Sequence, residues 1–206
     1  AETSSTEQSS QSMSAGYTES PIEPKSHKWF GRRLAFLVDQ TGIQMATASR
    51  MFGETRLIDI RKTYFPLRLE GQDERTTFAS RTMEEYARRF GGRRPHYTAL
   101  VNGPETAYRI VSMPSLPDQT LRNAVAFEAK KQIPFPIQEC QFDFRPVYAV
   151  GADGRAGIKI GLVAATQRAI DECIHPLSTA GISIEAVHHS QDVLGRLLRG
   201  LPDFSD

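Results

Sequence analysis

The chain has 206 residues, 39 % of them hydrophobic, with 25 Lys and Arg against 24 Asp and Glu. A chain of this length buries a substantial core without metal or disulfide support. Its near-neutral balance gives no general attraction to phosphate backbones or acidic surfaces, which argues against nucleic acid as a partner.

Cys140 and Cys173 are too few and too separated for a zinc site or a disulfide framework; they read as small core residues and suit a reducing compartment. No apolar run approaches the ~20 residues that span a bilayer, and the N-terminus lacks a basic-then-apolar signal pattern. The expected address is the cytoplasm.

Residues 1–26 are dominated by Ser, Thr, Glu, Gln and Gly, a composition that does not bury enough surface to offset the entropy of ordering, so a disordered tail is expected. Lys25, His27, Lys28, Arg32 and Arg33 surround Trp29 and Phe30. This reads first as a solvated lead-in to a strand, with a contact patch for a membrane or partner as the alternative. From Leu34 the pattern turns to period two and predicts strands at 34–38, 43–51 and 57–65, joined as an antiparallel meander by turns at 39–42 and 52–54. The polar stretch Glu70 to Thr77 reads as a connection. A helix is expected near Thr82, where Thr82 and Glu85 fit a capping box, with Met83, Tyr86, Ala87 and Phe90 as its buried stripe and Gly91-Gly92 as its end.

A second block starts at Tyr97, with strands at 97–101 and 107–112 across the turn Asn102-Gly103-Pro104-Glu105. A loop holding Pro114 and Pro117 opens a central helix near Asp118, which must stop at Pro134 because proline excludes its predecessor from the α region and lacks an N–H. Strands at 141–148 and 158–165 flank a turn at 151–154 and extend the sheet. Thr166 is the expected cap of a helix whose Ile170, Cys173, Ile174 and Leu177 share one face, kinked at Pro176 and closed by Gly181. A strand at 182–187 follows. Ser190 then caps an apolar helix carrying Val193, Leu194, Leu197, Leu198 and Leu201, and a helix so apolar so near the terminus points to a chain cut from a longer one. His188-His189 with Asp192 lacks metal-motif spacing, and His96 and His175 stand alone, so all four histidines read as structural.

In the central helix Leu121, Ala124 and Val125 share a face that Glu128 and Gln132 continue one and two turns later. A carboxylate there needs donors or water. Either Glu128 holds the Pro134–Pro136 loop or a partner backbone, or it reaches solvent at the helix edge.

The segment LRNAVAFEAKKQIPFPI at 121–137, followed by Phe142-Asp143-Phe144, resembles the PilM family of type IV pilus assembly proteins, actin-like and FtsA-like, whose inserted 1C subdomain has a helix A-x-x-x-E-x-x-x-x-I-P-F-P before a strand. Leu162 to Ala165 is similar to the family's LLVAA strand, Ala180-Gly181-Ile182 to its AGL helix exit, and residues 34–200 can be laid on the family's first half. The resemblance implies an α+β fold: an actin-like half-fold in which a three-stranded meander plus helix (1A-like, 27–93) carries an inserted SHS2-like subdomain (1C-like, 94–187), with 188–206 starting the next 1A-like helix.

It also implies a docking role, in which the N-terminal peptide of a PilN-like inner-membrane protein lies between the meander of 34–65 and the block from Tyr97 to Val187. Phe127, Glu128, Lys131 and Phe135 are the candidate partner-binding residues. The chain would then be a bacterial cytoplasmic scaffold that reaches the inner membrane only through its partner, with self-association a further possibility. A GspL-like type II secretion component is the related alternative.

Nucleotide chemistry is not expected of this chain. Asp39 matches the family's first phosphate turn, and Asp39, Thr41 and Gly42 are its vestigial candidates for ATP. Yet Thr41 occupies the usual glycine and Ala46 stands where the family carries a lysine. The second phosphate turn and adenosine pocket belong to a second half outside this sequence. The chain is expected to be no enzyme and to hold no cofactor, while a longer parent retains the option of ATP; an actin-like ATPase seen in part is the competing reading.

Overall fold

A computed structural model describes residues 18–21, 31–69, 71–152 and 155–199. In chain order these form β1 (Thr18–Pro21), β2 (Gly31–Val38), β3 (Gly42–Met51), β4 (Glu54–Tyr64), α1 (Gln72–Phe90), β5 (His96–Val101), β6 (Thr106–Pro114), α2 (Asp118–Gln132), β7 (Cys140–Ala152), β8 (Arg155–Thr166), α3 (Gln167–Thr179), β9 (Ala186–His189) and α4 (Ser190–Arg199). Two sheets result: a five-stranded one in the order β4-β3-β2-β5-β9 and a four-stranded one in the order β1-β7-β8-β6.

In the first sheet β2, β3 and β4 form the expected antiparallel meander, while β5 pairs parallel to β2 and β9 parallel to β5. Period-two alternation turns Leu34 and Phe36 of β2 and Ile43 and Met45 of β3 to one face. There they meet Ala79, Met83 and Tyr86 of α1 and Leu177 of α3 in one core. Phe36 stands edge-on to Tyr86 at 6.2 Å between ring centroids, and Thr47 donates its hydroxyl to Tyr86 Oη at 3.1 Å, so this deep polar pair is satisfied. The second core lies between α2 and its own sheet. Leu121, Val125, Ala129 and Ile133 meet Val111, Ile160 and Leu162. The helix ends as expected: Ile133 takes the extended conformation that Pro134 demands (φ −87°, ψ 126°).

Thr166 caps α3 by accepting from the Ala169 N–H at 3.1 Å, and the helix runs on through Pro176 to Thr179. Gly181 then takes a left-handed φ of 69°, and Ile182 N–H closes onto Leu177 O at 2.9 Å.

Four expectations are corrected. First, α1 begins at Gln72, a decade before Thr82. Its opening turns are polar because they are exposed, Asp73 and Glu74 favour the positive helix end, and Thr82 sits in the interior donating back to Phe78 O at 2.8 Å. Second, part of the expected tail is ordered: β1 pairs antiparallel with β7 and continues the ladder at its free edge. The rest of 1–26 lies outside the described residues, as do Lys25 to Phe30; Arg32 donates to Phe90 O at 2.7 Å, and Arg33 pairs with Glu185 at 3.8 Å.

Third, the strand expected at 182–187 is Ala186–His189, because 182–185 are spent on the helix exit and on the Glu185 N–H bond to Tyr97 O. Fourth, the strand from Tyr97 does not open a separate block. It joins the meander sheet, and the second sheet takes 106–166 with β1.

β4 is the outer strand of the first sheet. Its register slips by one residue between Leu57, opposite Ala48, and Asp59, opposite Thr47, leaving Ile58 as a bulge. Leu57, Ile58 and Ile60 are 65 %, 44 % and 71 % exposed. Phe36→Ala should lower the unfolding free energy by about 3–5 kcal/mol in chemical denaturation, whereas Phe127→Ala on the open face of α2 should stay within about 0.5 kcal/mol.

Candidate functional site

The turn between β2 and β3 is closed by Asp39. Its Oδ1 accepts from the Thr41 N–H (2.7 Å), the Thr41 hydroxyl (2.6 Å) and the Gly42 N–H (3.0 Å), and its Oδ2 from Gln44 Nε2 (3.0 Å). Partial burial alone would raise its carboxyl pKa, but the Thr41, Gln44 and Gly42 donors together hold it below the usual range. The two backbone N–H groups that a phosphate turn would offer to a ligand are therefore turned onto the protein's own carboxylate. Gly42 has a local reason to be glycine: a Cβ there would fall 2.1 Å from Thr63 O, across the meander.

Beside this turn lies a cleft of about 490 Å³ whose walls include Asp39, Thr41, Arg75, Glu105, Arg168 and Glu172. Arg168 pairs with both Glu105 and Glu172. Glu105 also accepts the Thr166 hydroxyl at 2.6 Å.

The second candidate lies between the two sheets. Val101 of β5, Val187 and His189 of β9 and Ile170 of α3 face Phe142 of β7 and Val163 of β8 across a mostly apolar space of about 310 Å³. The groove expected from the sequence had the meander as one wall; this space is walled by β5 and β9 on that side. His189 is only 6 % exposed and stacks on Tyr108 of β6 at 6.1 Å. Its Nδ1 accepts from the Gln191 N–H at 3.2 Å, which puts the ring proton of the neutral imidazole on Nε2, and this buried Nε2 meets no hydrogen-bond acceptor among the described residues. Burial lowers its pKa, against a smaller upward pull from Asp192.

The sheets are joined above this space by Arg145 of β7. Its Nε and Nη2 reach Asp192 Oδ1 of α4 at 2.8 and 2.5 Å, with the side chains 25 % and 11 % exposed.

The residues expected to bind a partner lie elsewhere. Phe127 is 62 % exposed on the outer side of α2, with Lys131 Nζ over its ring at 4.5 Å. Glu128 sits one position off the packing face, which runs through Val125 and Ala129. Its carboxylate accepts from Gln132 at 2.9 Å and Lys131 at 3.3 Å, and these bonds hold its pKa low. They keep it within its own helix and give the Pro134–Pro136 segment nothing. Phe135 is half-buried against the second core. The burial of His189 was not legible in the sequence, where it reads as a strand end beside a helix cap, with nothing to show that its ring lies against Tyr108.

Cys173 is mostly buried, donates to Leu100 O at 3.5 Å and has its thiol pKa pushed up to about 11 by burial; Cys140 is half-buried, its thiol raised by burial and by the Glu139 charge. Both suit packing over reactivity. Among the described residues no cluster of His, Cys, Asp or Glu is arranged to hold a metal ion, and no helix is long and apolar enough to cross a membrane.

No family model and no curated protein sequence matches this chain. Among solved structures it is similar to a chain of a PilM–PilN type IV pilus biogenesis complex, with a TM-score of 0.59 and 18 % identity over 77 % of this chain and 47 % of that one. It thus spans about half the length of that relative. The cytoplasmic domain of EpsL, an inner-membrane component of the type II secretion system of Vibrio cholerae, aligns over 77 % of this chain and 57 % of that one at 12 % identity. Its TM-score is 0.46. The first likeness is one of fold, and it agrees with the actin-like architecture read from the sequence.

Asp39→Ala should cost about 1–2 kcal/mol at neutral pH by stranding two turn N–H groups. Because the folded carboxyl has a lowered pKa, its contribution is complete above the unfolded value and is lost as pH falls through the folded one. Acid titration of stability should therefore converge for the two proteins. For His189 the lowered folded pKa makes stability complete above about pH 6.5 and lost as pH falls towards the folded value. His189→Phe, which keeps the stack on Tyr108, should flatten that part of the stability curve.

Proposed function

We propose that this chain is a PilM-like scaffold of a type IV pilus or related secretion assembly, and that it holds a short extended segment of a PilN-like inner-membrane partner in the groove between its two sheets. The observation that carries this reading is the buried His189 Nε2–H, an unmatched donor on a residue that lines a mostly apolar groove shared with Gln141 and Asp143. An extended peptide supplies what the groove lacks, a backbone carbonyl for the donor and small apolar side chains for the space beside Val163, Val187 and Phe142. The fold likeness to a chain of a PilM–PilN complex supports the same reading.

The chain works in this proposal by holding a partner and not by hydrolysing a nucleotide. Support comes from the Asp39 turn, whose N–H groups are already engaged, and from the adjacent cleft, where Arg168 is taken up by Glu105 and Glu172.

The test is a titration of a labelled peptide from the N-terminal segment of the PilN-like protein of the same organism. Saturable binding should weaken about tenfold or more in Phe142→Asp and in His189→Phe, and stay unchanged in Phe127→Ala. An absence of saturable binding sinks the proposal. Binding indifferent to Phe142 and His189 but lost with Phe127 moves the docking surface to the outer face of α2.

A further inference from the structure

The near-neutral total of the chain includes a local cluster of arginines at one end of the first sheet. At one end of β2 lies the cleft of mixed charge, where Glu105 and Glu172 are paired with Arg168. The other end carries the β3–β4 hairpin tip and the segment that leads from α1 into β5. There Arg50 stands opposite Gly31 and Thr55, Arg56 stands opposite Ser49 on the other face of the hairpin, and the Gly31 backbone approaches Arg94 O, so Arg50, Arg56, Arg93 and Arg94 ring this end of the sheet on both faces, about three strand spacings, or ~15 Å, across. Arg56, Arg93 and Arg94 are exposed and Arg50 half-exposed; Glu54, paired with Arg56 at 3.1 Å, is the acidic residue of the tip.

The tip itself is apolar and strained. Phe52 and Gly53 both have positive φ, 52° and 88°, as a two-residue hairpin turn of the primed type requires. Asparagine or glycine is the natural first residue of such a turn, and a phenylalanine held there costs conformational energy. It gains nothing from packing in return, because its side chain is 92 % exposed beside Met51 at 50 %.

From this juxtaposition of a protruding Met51-Phe52 tip with an arginine rim, we propose that the hairpin docks directly on an anionic lipid surface. Met51 and Phe52 enter the headgroup region while Arg50, Arg56, Arg93 and Arg94 meet lipid phosphates. The exposed Leu57, Ile58 and Ile60 of β4 continue the apolar surface away from this end, while Met51 and Phe52 on the convex turn fit a soft surface that closes around them. Arginines on different elements, with no shared geometry, suit phosphates spread over a plane. This attachment would be direct and independent of the groove, beside the contact through a partner.

Vesicle flotation of the full chain tests it, with phosphatidylcholine vesicles compared with vesicles that also contain phosphatidylglycerol. Flotation should require phosphatidylglycerol and fall with added salt. Arg93→Glu and Arg94→Glu should each lower partitioning about fivefold or more. Phe52→Asn should lower it at least about tenfold, while raising the thermal midpoint by relaxing the turn. That opposite movement separates a lipid contact from a folding defect. Flotation that does not depend on phosphatidylglycerol, or that survives Phe52→Asn, overturns the proposal. So does an absence of flotation, which would leave the tip as a contact for protein.

Discussion

The architecture depends on the parallel pairing of β2, β5 and β9. Antiparallel neighbours can be joined by a tight turn, but a parallel neighbour requires the chain to leave the sheet and return to the same edge. The first crossover, from β2 to β5, takes in the rest of the meander and α1; the second, from β5 to β9, carries the whole of β6, α2, β7, β8 and α3. The second sheet is in this sense an enlarged connection. Its position is fixed at both ends by strands of the first sheet, and this brings the β7–β8 hairpin against β5 and β9 and creates the space into which His189 faces.

That arrangement includes a polar link from the second sheet to the helix that follows β9. Arg145 reaches from β7 to Asp192 at the start of α4, and His189 lies three residues before Asp192 on the strand that feeds the helix. Removing one partner of a charge pair this far from water leaves the other poorly solvated, so the pair constrains geometry more than its net stabilisation suggests. The groove's unmatched donor is thus held between an ion pair and an aromatic stack, and its direction is set before any ligand arrives.

Much of this was legible in the sequence because local and tertiary signals agreed. Period-two alternation at Leu34–Val38 and Ile43–Met51, the Thr166 cap and the Pro134 stop each act within a few residues, and each appears where expected. The errors fall where the deciding partner is distant. The start of α1 is polar because the opening turns face solvent, so its helicity is not written in hydrophobic spacing until Phe78. Thr18–Pro21 has no strand signal of its own and takes its order from the free edge of β7. The candidate site divides in the same way: the Asp39 turn shows its departures from a phosphate loop in its composition, but only three-dimensional proximity reveals that its N–H groups are engaged and that His189 is short of an acceptor.

The bulge at Ile58 bears on what the outer strand permits. β4 presents a free ladder edge with several exposed aliphatic side chains, the usual ingredients for uncontrolled strand addition between copies. Its extra residue breaks the repeat of backbone donors and acceptors halfway along and turns the two halves of the strand out of a common plane. A second flat strand can follow one half but not both. The chain thereby keeps an open, apolar flank without offering a template for fibre growth.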